Sequence, residues 1–507
     1  MLIKNQSATL QGLQATPIEV EVDGVRGKPG LIFIGLAEKA VEEAKERIIN
    51  SLALAGVRLP AKKLLVNLAP ADLKKTGSTL ELAMALSLWE LTLGEKKIAA
   101  TDIFFGELSL DGRLRSVRGA LPLVHFARDH GYRRAFVPAA NAREVKIVAG
   151  IEIYALETLG ELIDFFTGKK SLSPLAVARY LPSLKHTKTD FADIIGQKVA
   201  KRCLEIAAAG GHNLLLSGVP GAGKSLLASS LPSILPPLTR EEALEISTIY
   251  SVCGMLGPEG LIRVRPCRAP HHTISAIGLA GGGHNLLPGE ISLAHRGILF
   301  LDELGEFRRD ALEILRQPLE TGVITISRAS GHVVYPAQVT LIAATNPCPC
   351  GYLGSKKHPC TCSEGEIARY QRKLSGPILD RLDMQIFVPE VEVEELAGMT
   401  PPAESSAQVR ERVIRARQRQ EQRWQSLGIL TNHQLTSQQI RSQLQLSSGA
   451  QKLLSQALKR WQLSARSYFK LIKVARTIAD LETREVVTIE ENHIAEALTY
   501  RQTATSR

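Results

Sequence analysis

Asn213-Leu-Leu-Leu-Ser-Gly-Val-Pro-Gly-Ala-Gly-Lys-Ser225 decides the fold. Its first half is an apolar run that reads as a buried strand. Ser225-Leu-Leu-Ala-Ser-Ser-Leu reads as a helix start. Between them, Gly218 to Ser225 fits G-x-x-x-x-G-K-[ST], a loop that cradles phosphates with backbone N–H groups at a helix N-terminus. Gly218, Pro220, Gly221, Ala222 and Gly223 are expected to wrap the anion, and glycine at 221 and 223 removes a Cβ that would clash. Lys224 offers a positive charge to the β- and γ-phosphates, and Ser225 a hydroxyl to Mg²⁺.

Working outward, Ile298-Leu-Phe-Leu-Asp302-Glu303 is an apolar strand ending in two acids. Asp302 can hold Mg²⁺, and Glu303 can polarise an attacking water as general base. Thr340-Leu-Ile-Ala-Ala-Thr-Asn346 ends in an amide able to orient that water. Ser375-Gly-Pro-Ile-Leu-Asp-Arg-Leu-Asp383 supplies Arg381, whose guanidinium can stabilise charge on a γ-phosphate. The structural alternative is an ion pair of Arg381 with Asp380 or Asp383. Arg466, in Leu463-Ser-Ala-Arg-Ser-Tyr, opens a helix and could also reach phosphate. These residues predict an ATPase using ATP and Mg²⁺.

The 507 residues are 44% hydrophobic and 22% charged, values of a globular protein. No apolar run reaches a membrane-spanning length, and the N-terminus lacks a signal pattern, so a cytoplasmic location is expected. The net charge is +11, and residues 401–507 hold 17 Lys+Arg against 9 Asp+Glu. Arg410, Arg412, Arg415, Arg417, Arg419 and Arg423 suit a polyanion; a solvated helical face is the plainer reading.

Residues 1–167 alternate strand-like and helix-like runs, among them Glu19–Val22, Leu31–Ile34, a helix from Lys39 to Ala55, and a very apolar helix from Leu80 to Leu91. Residues 168–190 carry a Gly, Pro and Ser linker signature. Residues 191–395 form a second α/β unit with a parallel sheet. Residues 396–507 read as a helical lid and basic C-terminal region.

In this order the elements resemble the AAA+ ATPase superfamily. Phe191-Ala-Asp-Ile-Ile-Gly-Gln197 looks like the segment that packs on adenine, with Ile195 against the base. By resemblance Arg381 acts in trans on a neighbour's ATP and Arg466 acts in cis, which implies a ring of identical subunits, a hexamer. Three further stretches narrow the match: Cys267-Arg-Ala-Pro-His-His-Thr-Ile-Ser275, the alternating Gly322–Tyr335 hairpin, and Asn346-Pro-Cys-Pro-Cys-Gly-Tyr. They resemble the magnesium-chelatase-like branch, and within it the ComM-type competence helicases. That likeness implies a DNA motor driving branch migration in homologous recombination. Arg328 and His332 on the hairpin would then contact DNA phosphates without reading sequence; otherwise the hairpin packs at a subunit face. His271 and His272 are expected to be structural, with pore-loop or metal roles as alternatives.

Cys348, Cys350, Cys360 and Cys362 form C-x-C-x9-C-x-C. Four thiolates can enclose a tetrahedral structural Zn²⁺; reduced thiols and a redox disulfide are the alternatives. Residues 1–167 resemble the Lon-protease-like domain on the ribosomal-protein-S5-like fold. Ser78 falls near that family's nucleophile, but Leu121 stands where its lysine belongs, so no peptidase activity is expected. Ser78 reads instead as a turn or helix N-cap residue, with Glu81 completing a capping box. Competing functions are a magnesium-chelatase motor subunit and a protein remodeller. An enhancer-binding activator is disfavoured, because Ala280–Pro288 lacks the G-A-F-T-G-A loop.

Overall fold

The computed structural model describes residues 1–35, 38–70, 77–183, 189–283, 285–328, 331–373, 376–391 and 404–501. Residues 71–76, the hairpin tip 329–330, Ser375 and the boundary at 395/396 lie outside the described residues. The chain divides into two compact units: Met1–Pro182 with Thr239–Arg263, and Ser183–Leu238 with Val264–Arg507. No helix among the described residues is long and apolar enough to cross a membrane.

The first unit is built on a seven-stranded mixed sheet. Its strands are β1 (Ile3–Gln11), β2 (Gln14–Val25), β3 (Gly30–Ile34), β4 (Lys63–Ala69), β5 (Asp102–Phe104), β6 (Arg134–Pro138) and β7 (Glu152–Leu156), in spatial order β3-β4-β2-β1-β5-β6-β7. Helices α1 (Glu38–Leu54), α2 (Glu81–Leu93) and α3 (Ala120–Asp129) accompany it. Strand β2 alternates, and its Ile18, Val20 and Val22 are fully buried. Helix α2 is apolar all round and buried from Glu81 through Glu90, as a core helix must be.

Two acids inside that core are matched by donors. Glu90 accepts from the Lys97 and Ile98 amides (2.6 and 2.7 Å) and from Asn5. Glu81 accepts from Arg47 at 2.7 Å and from the Leu108 amide at 2.9 Å. This corrects the expected capping box. Ser78 lies in a 3-10 turn (Gly77–Leu80), the residue capping α2 is Leu80 with no side-chain bond, and Glu81 is drawn into the core by Arg47. Leu121 is fully buried in α3, where it fills core volume and can accept no proton.

Two segments join this unit from outside 1–167. Leu175 N–H donates to Ile153 O (2.7 Å) and Ala178 N–H to Lys146 O (2.8 Å), so the start of the Gly/Pro/Ser-rich stretch is tied down. The helix Arg240–Cys253, capped by Thr239 and Glu242, also belongs here, although it follows the phosphate-loop helix in sequence.

The second unit holds a five-stranded parallel sheet made of β8 (Leu214–Gly218), β9 (Cys267–Arg268), β10 (Ile298–Leu301), β13 (Thr340–Thr345) and β14 (Met384–Val388). Strands β11 (Val323–Arg328) and β12 (Gly331–Pro336) are set apart from it as a hairpin. The sheet order is β9-β10-β13-β8-β14. The central strands are apolar throughout because both sheet faces are covered. Helices α4 (Lys198–Gly210), α5 (Lys224–Ser230), α6 (Ser406–Trp424), α7 (Ala465–Asp480) and α8 (Glu491–Thr499) surround it.

The arginine-rich stretch of α6 needs a correction. Arg410 donates to Ser233 O, Arg417 to Ala208 O, and Arg419 to the carbonyls of Asp480, Glu482 and Thr483. Arg412 pairs with Glu205 and Glu404, and Arg423 with Asp480. Five of the six guanidiniums therefore fasten α6 to its own unit rather than face a polyanion; only Arg415 points out exposed.

Candidate active site

Parallel strands deliver their C-terminal ends to one edge of a sheet, and chemistry collects there. Strand β8 ends at Gly218, where Val388 of β14 approaches so closely that a Cβ would lie 2.4 Å from its carbonyl oxygen. The loop turns through Gly221 (φ 79°) and Gly223 (φ 85°), left-handed values that favour glycine. Helix α5 then starts at Lys224. Lys224 Nζ donates to Gly218 O (2.6 Å), Val219 O (2.9 Å) and Asn346 Oδ1 (3.2 Å). Burial pulls its pKa down, against the charge of Asp302. Asn346 stands just beyond β13, which brings its amide to the lysine.

Ser225 Oγ donates to Asp302 Oδ2 at 2.6 Å, directly beyond β10. A hydroxyl and a carboxylate in contact at a phosphate loop are the donor pair that Mg²⁺ takes in such proteins, so the residues fit the ion. Glu303 adopts φ 53°, its amide donates to Asp302 Oδ1 (2.9 Å), and its side chain is half exposed. Its Oε2 lies 3.2 Å from His272 Nδ1. Sequence reasoning assigned His272 no partner. The available signal was topological: His272 follows β9, which runs beside β10, so both loops leave the same sheet edge.

Ile195 is exposed beside buried Phe191 and Ile194, and Gln197 donates to Pro389 O (2.7 Å). Arg381 pairs with Glu320 (2.5 Å), neither with Asp380 nor with Asp383. Asp383 is engaged by other groups described below, which corrects the expected alternative. Arg466 is exposed in the first turn of α7. Arg328 and His332 are exposed near the hairpin end, and His332 Nδ1 contacts Ser327 Oγ at 2.8 Å. The buried Tyr335 hydroxyl donates to Leu286 O and anchors the hairpin base.

The cysteines converge. Cys348, Cys350 and Cys360 sulfurs lie 3.4, 3.7 and 3.6 Å apart, and all four lie within 4.8 Å of one another. The Cys350 amide donates to Cys362 Sγ and the Leu353 amide to Cys348 Sγ. Backbone donors from Tyr352 and Thr361 pull the Cys350 thiol down to about 5, while burial pushes Cys348 up. Gly351, in this loop at φ 86°, lies against Pro220 of the phosphate loop; a Cβ there would come within 2.8 Å of the proline ring.

Phosphate loop, acid pair on the strand two places away, amide-tipped strand between them and helical lid define an AAA+ ATP-binding protein. The chain belongs to the magnesium-chelatase ChlI family. The model described as magnesium chelatase, subunit ChlI, matches residues 190–396; subunit ChlI of Mg-chelatase matches 20–141; and the ChlI C-terminal model matches 403–501. Competence protein ComM of Haemophilus influenzae is 41% identical over 505 residues, 98% of this chain and 96% of that protein. YifB of Escherichia coli K12 is 41% identical over 493 residues, 97% and 95% of the two chains. The magnesium-chelatase 38 kDa subunit of Rhodobacter capsulatus is 25% identical over 193 residues, 34% of this chain and 55% of that one. The protein is a ComM-type, magnesium-chelatase-like AAA+ protein.

Proposed function

We propose that this protein is an ATP-driven DNA translocase, active as a ring, hexameric by analogy, that promotes branch migration in homologous recombination. The observation that carries the reading is a complete nucleotide site combined with a hairpin that leaves Arg328 and His332 exposed. The full-length likeness to a competence protein supports it. Lys224 and the loop amides bind the triphosphate, and Ser225 and Asp302 hold Mg²⁺, which draws charge off the phosphate oxygens when bound. Glu303 takes the proton of the attacking water, and Asn346 orients that water. Arg381 serves the neighbouring subunit's ATP, and Arg466 the ATP of its own subunit, with Ile195 against the base. The four cysteines hold a structural Zn²⁺. The likeness of residues 190–396 to chelatase subunits favours a second reading, the motor subunit of a metal chelatase.

One measurement separates the two: ATPase rate with and without branched DNA across a salt series. A DNA motor is stimulated, and its binding weakens steeply with salt. Indifference to every DNA structure would sink the translocase and favour the chelatase.

A further inference from the structure

Asp383 is almost fully buried at the start of β14, two residues after Arg381. Asn213 N–H donates to its Oδ2 (2.9 Å), His433 Nδ1 lies 2.8 Å from the same oxygen, and His212 Nδ1 lies 3.7 Å away. Lys470, on lid helix α7, lies 3.6 Å from its Oδ1. Two histidines and a carboxylate could enclose a cation, but Lys470, Lys473 and Arg501 bring three positive charges to the same carboxylate. The cluster is a protein ion network, not a metal site.

Its effect falls on the backbone around Arg381. Lys470 Nζ donates to Asp380 O (2.5 Å) and Leu382 O (3.1 Å), and Asn213 Nδ2 donates to Arg381 O (3.4 Å). Three consecutive carbonyls are thus held by side chains from other elements. Asn213 precedes the phosphate-loop strand β8. Lys470 lies one helical turn beyond Arg466, on the same face of α7. We infer that Lys470 is a positioning residue for Arg381, clamping the finger's backbone to the lid helix that carries Arg466. A charged donor on carbonyls flanking the finger fixes its approach, and a misplacement near 1 Å can cost about 100-fold in rate.

This inference rests on Arg381 acting in trans, and the test separates the two ideas. Glu303→Gln subunits bind ATP, lack the base and keep the finger. Arg381→Ala subunits keep the base and lack the finger. Each alone is inactive, and mixing them restores turnover where an intact finger faces an intact base. Lys470→Met is then added to one partner or the other. Placed in the Glu303→Gln finger donor, it should cut the restored rate about tenfold or more. Placed in the Arg381→Ala partner, whose finger is already gone, it should leave most of the rate. Equal losses from both placements would overturn the positioning role, while a pair that restores nothing before Lys470 is touched would overturn the trans reading and the inference with it. Lys470→Gln, whose amide is uncharged and one atom shorter and so cannot span both carbonyls, runs in parallel should the methionine variant fail to fold, and is judged by the same asymmetry.

Discussion

Replacing Cys360 by alanine should empty a zinc site and loosen the phosphate loop. With Zn–S bonds near 2.3 Å, a tetrahedral site puts its sulfurs ~3.8 Å apart. The separations of 3.4, 3.7 and 3.6 Å among Cys348, Cys350 and Cys360 differ from that by a few tenths of an ångström, and Cys362 Sγ lies within 4.8 Å of each, so an ion enters once the fourth sulfur closes in. Structural zinc in small domains contributes about 10–16 kcal/mol of binding free energy at neutral pH, so four intact thiolates should retain the ion through purification. Wild-type protein should carry about one zinc per chain, and Cys360→Ala close to none. The loop seats Gly351 on Pro220 and continues from Asn346, so loss of zinc should weaken ATP binding and turnover together. Elemental analysis, zinc release on thiol modification and an ATP titration provide the readout. Zinc far below one equivalent in protein expressed with the metal, or four thiols reacting as fast in native as in unfolded protein, would refute the reasoning.

Arg328→Ala should lower the slope of log affinity for DNA against log salt by roughly 0.9 for every phosphate left without its cation, equally for all sequences; fluorescence anisotropy across a salt series measures it. Asp480→Ala should destabilise the helical region by about 3–5 kcal/mol, since it removes the carboxylate that neutralises buried Arg476 and also pairs with half-buried Arg423; denaturant unfolding followed at Trp424 and Trp461 reads it. Turnover should fall as pH rises through about 8, where burial has placed the Lys470 ammonium, as the neutral amine loses its charge-assisted hold on Asp380 O and Leu382 O. The sign for stability is opposite: between the folded value and the unfolded 10.5 the unfolded chain binds the extra proton, so this group favours folding as pH rises, and a rate loss with no fall in melting temperature is the expected signature.

What the sequence disclosed was local. The phosphate loop, the acid-tipped strand and α2 announce themselves through spacing, apolar runs and glycines at left-handed positions. Strand β1 does not. Its inward face carries Asn5 and Ser7, satisfied by Ser87, Glu90 and the Phe104 carbonyl, so the hydrophobic alternation that marks a strand is broken by residues whose partners lie 82 or more positions away. Helix Arg240–Cys253 has an ordinary capping box and amphipathic pattern, and nothing in them tells which unit it joins. The arginines of α6 misled for a related reason. Net charge counts cations without seeing that Ala208, Ser233 and Asp480 supply acceptors. His272 beside Glu303 and Lys470 beside Asp383 are likewise long-range pairs, legible only once the strand ends are brought together.

The seam between lid helices and ATPase sheet is polar at the places that matter for catalysis. Arg412 meets Glu205, Arg417 caps the end of α4 at Ala208, and Asp383 gathers Lys470 and two histidines. Apolar contacts would hold the same surfaces together but tolerate sliding, because dispersion has little directional preference. Buried hydrogen-bonded charges tolerate one arrangement, and breaking one partner strands the other in a low-dielectric interior. A lid held this way moves as a body with whatever it grips. Lys470 of α7 grips the carbonyls on both sides of Arg381; if Arg381 serves a neighbour's ATP as proposed, displacement of the helix bearing Arg466 would carry the finger with it and make the occupancy of one subunit's site a geometric input to the next.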